Sequence, residues 1–138
     1  MPQSPNDPSA PTPRLTFEHT TLGSFVSEGD LWTCTILQGS GTIELELAGS
    51  ESAPFEALVN AASALLPRFS EVKEQALAFL MEQEEAPERE DFLCQGIELL
   101  REDYPDHYSL SFVLFGDDGG IWRVEFEDGE ALFITRDD

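Results

Sequence analysis

The chain has two histidines, His19 and His107, and two cysteines, Cys34 and Cys94, and nucleophilic chemistry of the usual kind would have to draw on them. A serine or cysteine nucleophile needs a base within hydrogen-bond reach, most often histidine. Cys34 alternates with Trp32 and Ile36, the pattern of a buried strand face, and Cys94 lies among apolar neighbours. Both therefore read as small buried hydrophobes in a reducing compartment, with a disulfide between them left open. Asp103, Asp106 and His107 stand close together in a loop and, with a further carboxylate, could hold zinc or a hard cation. That makes a small metal-dependent or small-molecule enzyme the alternative functional reading. Their spacing matches no metal motif with a defined mechanism. The Gly116 to Gly120 turn carries two aspartates without the ligand spacing of an EF-hand loop, so it reads as an ordinary hairpin turn. The acidic run Glu84 to Asp91 reads as a solvated helix entry. With no GxGxxG and no GxxxxGK[ST], the familiar nucleotide-binding folds are excluded and no cofactor is expected.

Charge narrows the field further. Among 138 residues, 28 are acidic and 7 basic, a formal net charge of -21. Residues 1–50 carry 6 acids and 1 base, residues 51–100 carry 11 and 3, and residues 101–138 carry 11 and 3. The acidity therefore belongs to the whole chain and not to a tail. Such a field repels nucleic acid and anionic lipid and draws in cationic partners over about 10 Å at moderate salt. Solubility alone is the plainer explanation of the same charge. No apolar run approaches the roughly 20 residues of a membrane span, and the N-terminus lacks signal-peptide order, so a cytoplasmic protein is expected.

The elements that would position these residues follow from periodicity. Residues 1–14 are proline-rich and nearly devoid of aliphatic side chains, which predicts a disordered leader before a single domain over 15–138. A short strand from Leu15 to Phe17 and a loop containing Gly23 and Gly29 precede a hairpin, Leu31 to Leu37 and Thr42 to Leu47. In its second strand Ile43, Leu45 and Leu47 alternate with Thr42, Glu44 and Glu46, one buried face and one wet face. The stretch Pro54 to Gln83 predicts two helices broken at Pro67, with Ser70 as the second N-cap. Pro87 to Gly96 reads as a short third helix stopped by glycine, and Ile97 to Arg101 as a strand in preference to a helix. Tyr108 to Phe115, Ile121 to Phe126 and Ala131 to Thr135 form a closing meander. The expected architecture is α+β: a mainly antiparallel sheet, N-terminal hairpin plus C-terminal meander, with two to three helices packed on one face.

The meander also supplies the candidate binding surface. Asp117, Asp118, Glu125, Glu127 and Asp128 surround Trp122, Phe126 and Phe133, and an acidic rim around aromatic anchors suits capture of a basic partner. The plainer alternative puts the aromatics in the core and the acids in solvated loops. The overall pattern, with LWTCTILQGSGTIELEL in the hairpin and WRVEFEDG in the meander, resembles a loose group of small acidic bacterial domains of unknown function, some of them suspected immunity proteins of polymorphic toxin systems. The resemblance implies a non-enzymatic binding domain engaging a basic protein, and it assigns no individual residue. An accessory domain without ligand is a further alternative. Monomer and homodimer are both open, since the meander offers sheet edges.

Overall fold

A computed structural model describes residues 15–38, 41–83, 92–114 and 120–137. Eight strands lie side by side in chain order: β1 Thr16–His19, β2 Gly23–Glu28, β3 Leu31–Gln38, β4 Gly41–Ala48, β5 Phe92–Leu99, β6 His107–Leu114, β7 Ile121–Glu127 and β8 Glu130–Asp137. Every neighbouring pair is antiparallel except β4 and β5, which run parallel. Parallel neighbours need a long crossover. Here it is helical: α1 Glu56–Leu65, a 3₁₀ turn Leu66–Arg68, and α2 Phe69–Gln83.

The α+β expectation is thereby corrected. The described residues form mostly one eight-stranded mixed sheet with a single helical stretch, in place of a mainly antiparallel sheet carrying two to three helices. Pro67 does not break the helix. Leu66 keeps α geometry (φ -56°, ψ -41°) and its N–H donates to the Ala62 carbonyl, while the Phe69 N–H closes a tighter bond to Leu66. The 3₁₀ turn absorbs the missing proline donor, and burial of Leu65, Phe69 and Val72 holds both halves on the sheet. Ser70 accordingly lies inside α2, one residue past its start. The predicted third helix falls partly on residues 84–91, outside the described residues, and its remainder, Phe92 to Gly96, is strand. Gly96 is needed there for close approach: a Cβ would sit 2.5 Å from the Glu44 carbonyl oxygen across the parallel pair. The segment read as a loop with Gly23 and Gly29 holds strand β2.

One face of this sheet makes the core. Trp32, Cys34, Ile43, Leu45, Leu47, Ile97, Leu99, Leu110, Phe112, Val124 and Phe126 are all buried, and Leu58, Ala62, Leu65, Val72, Ala76 and Leu80 come down on them from the helical stretch. Each fully buried Leu or Phe contributes about 1.5–3 kcal/mol relative to exposure. Aromatic contacts lock the two ends: Phe17 meets Phe25 edge-on at 6.2 Å, and Tyr108 stacks on Phe126 at 4.9 Å. The β7–β8 hairpin turns through Asp128 (φ 52°) and Gly129 (φ 82°), the Asp-Gly pairing favoured where two successive residues take positive φ.

Candidate functional site

The other face of the sheet is polar, and strand register arranges it in two rows. One row runs Thr33, Glu46, Glu98, Ser109, Glu125, Phe133 across β3 to β8; the next runs Thr35, Glu44, Gly96, Ser111, Arg123, Thr135. Among the described residues no helix or further strand lies over these rows. The alternation that buries Leu45, Ile97, Leu110 and Val124 on one side forces their neighbours to the other. Small side chains on β6 shape what happens next. Because Ser109 and Ser111 rise little above the sheet, the longer side chains of β5 and β7 meet across them: Arg123 Nε lies 2.9 Å from Glu98 Oε1. The two serines are themselves buried by this cover.

Glu125 is the most enclosed acid of the face, 8% exposed. Ser109 Oγ donates to its Oε1 at 2.8 Å and Thr135 Oγ1 to its Oε2 at 3.5 Å, and His107 Nε2 stands 3.4 Å from Oε1. A buried carboxylate is tolerated when its lone pairs are engaged in this way. Glu46 is in a different state. Burial, then the neighbouring Glu98 and Glu44 carboxylates, raise its carboxyl above the ordinary value, with only Arg123 opposing. Between these acids lies a cavity of about 170 Å³ lined by Glu44, Glu46, Gly96, Glu98, Ser111 and Arg123.

The residues picked from the sequence do not form one cluster. Trp122 faces the helical side, 7% exposed, edge-on to Phe92 at 5.9 Å and covered by the Arg136 guanidinium at 4.3 Å from its ring centre. Glu125 is on the opposite face. Glu127 ends β7 and Asp128 follows it in the turn, about 17 and 20 Å from Trp122 at strand rise, and Asp128 accepts a hydrogen bond from Tyr104 Oη at 2.9 Å. Asp117 and Asp118 lie outside the described residues. Among the described residues the exposed aromatic of the meander is Phe133 on β8, 47% exposed beside Leu132 at 46%.

The candidate metal loop is likewise divided. Asp103 is engaged by Arg101 at 3.2 Å, whose guanidinium hydrogen bond and charge hold its carboxyl below the ordinary range. His107 has turned to Glu125, and the described residues contain no group of three or more metal-ligating side chains placed to hold an ion. Both cysteines are free. Cys34 Sγ donates to the Leu22 carbonyl, and burial pushes the Cys94 thiol up to about 11, against the lowering effects of a Gly96 backbone hydrogen bond and Lys73. A thiol so protonated is a poor nucleophile. His19 organises its own loop, with Nδ1 accepting from the N–H groups of Thr21 and Leu22 at 3.1 and 3.0 Å.

Sequence reasoning named Glu125 and the wet face of β4, and it missed the Glu98–Arg123 bridge and the Ser109–Glu125–His107 contacts. The signal was present in the alternations HYSLSF and WRVEF, which place Ser, Ser, Arg and Glu between buried residues. Comparison with protein-family models, curated proteins and solved structures returned no match. No helix among the described residues is long and apolar enough to cross a membrane.

Proposed function

We propose that this is a non-enzymatic binding domain whose acidic surface engages a basic protein partner, as an inhibitor or immunity protein would. The observation that supports it most is the net charge of -21 spread over the whole chain, joined to a sheet face that carries Glu44, Glu46, Glu98 and Glu125 against Arg123. Long-range attraction brings a cationic partner in quickly, and short-range pairing with apolar contact at the Phe133 edge retains it. Two free cysteines suit a reducing compartment, and this reading takes the domain to be cytoplasmic. Direct nucleic-acid binding has no place in this reading, because the field is of the wrong sign.

Co-purification from the native lysate at low salt, eluted by a salt gradient, tests the reading. The expected result is a defined basic protein that elutes as salt rises and rebinds the purified domain with an affinity that falls with ionic strength. Recovery of the domain alone, or rebinding indifferent to salt, would overturn it.

A further inference from the structure

We infer that the partner docks on the helix-free face of the sheet and presents an arginine or lysine side chain to the cavity over Gly96. The inference rests on the basic-partner reading above and assigns it a surface. The helix-facing side of the sheet is occupied by the protein's own core. The opposite side is an unpartnered sheet face rich in carboxylates: among the described residues its two central rows carry Glu44, Glu46, Glu98 and Glu125 against the guanidinium of Arg123.

These carboxylates are unequally satisfied. Glu98 is held by Arg123 at 2.9 Å, and Glu125 by Ser109, Thr135 and His107. Glu44 and Glu46 have no ion pair or hydrogen bond to another described side chain, and they stand about 7 Å apart on the same face of β4. Glu46 is moreover the register neighbour of Glu98, so two acids sit side by side across the parallel pair. Like charges held adjacent by backbone pairing repel, and a cation placed between them relieves that repulsion.

The cavity fits such a cation in size and shape. Its 170 Å³ corresponds to roughly ten water-sized positions, enough for the end of one long cationic side chain. Gly96 makes the floor because no Cβ can fit against the Glu44 carbonyl, and Ser111 adds a hydroxyl beside it. A guanidinium has the donors to bridge Glu44 and Glu46 together, which a compact ammonium does less well. Arg123 lines the same cavity and reaches over β6 to Glu98 on β5, so it occupies the β5 side and leaves the Glu44 and Glu46 side on β4 to the incoming cation.

The test uses a decaarginine peptide as probe and the full-length chain in two charge-matched double variants. Glu44→Gln/Glu46→Gln removes two charges from the open face; Glu56→Gln/Glu71→Gln removes two exposed charges from the helical side. Fluorescence anisotropy at low ionic strength is expected to show about tenfold weaker binding for the first variant, equivalent to about 1.4 kcal/mol, and less than about twofold for the second. Amide NMR shifts on titrating the peptide are expected to centre on Gly96 and Ser111. Equal weakening by both variants would show attraction to the overall charge and would overturn this surface while leaving the basic-partner reading intact. No binding of the peptide by the wild-type chain would overturn both.

Discussion

The two faces of the one sheet obey opposite rules. On the helix-facing side, large apolar side chains from eight strands and the helical stretch fill space, and stability there comes from close packing, in which even the buried Trp122 Nε1 is left without a hydrogen-bond partner. On the other side, the same strands carry serine, threonine, arginine and glutamate, and stability depends on which charges find one another. Trp122 and Glu125 show the contrast within β7: three residues apart, one is packed under an aromatic edge and a guanidinium, the other is an enclosed carboxylate with three polar neighbours. A fold with this division can change the chemistry of its open face while its core stays fixed, which is how a binding surface is grafted on a scaffold.

Breaking the packed face has the largest expected effect. Leu45→Ala leaves a cavity at a fully buried position between β4 and β5, with an expected loss of about 3–4 kcal/mol read from the urea midpoint. Breaking the polar face costs less and depends on the chemistry of the replacement. Glu125→Ala strands Ser109 and Thr135 without their acceptor and is expected to cost about 2 kcal/mol, whereas Glu125→Gln keeps an oxygen for Ser109 and costs about half as much. Equal losses for the two variants would mean that Glu125 acts by filling space and that the two faces obey the same rule.

The smallest effect has the opposite sign. Glu46 has a carboxyl raised above its ordinary value of 4.5 by burial and by Glu98 and Glu44, so folding favours its protonated form. Its stabilising contribution is present below that ordinary value and is lost as pH rises through the raised one. Glu46→Gln is therefore expected to raise stability at pH 7 by about 0.5 kcal/mol, within the range of partly exposed charge pairs. The gain should vanish when melts are repeated near pH 3, well below the ordinary value, where the carboxyl is neutral folded or unfolded. A gain that persists in acid would assign the effect to something other than charge.

Much of the sheet could be read along the chain. The hairpin Leu31 to Leu47 and the three closing strands follow from period-two alternation, and buried positions of the helical stretch, Leu58, Ala62, Leu65, Val72, Ala76, Leu77 and Leu80, follow from helical spacing. Other elements depended on context. Pro67 signals a break, but neighbouring side chains already anchored on the sheet carry the helix through a 3₁₀ turn. Gly96 looks like a helix stop, and its actual role, letting two parallel backbones approach, needs a partner strand about fifty residues earlier in the chain. Trp122 carries no local mark that separates an exposed anchor from a core residue.

The sequence by itself determined the charge of -21 and the alternation that makes each strand two-sided, since both are properties of residues and their immediate neighbours. Only the tertiary structure decided that β4 and β5 run parallel, that Glu46 stands against Glu98, and that Arg123 reaches Glu98 over two small serines. Those pairings join residues far apart in the chain, and register between strands is set by the packing of the whole apolar face at once.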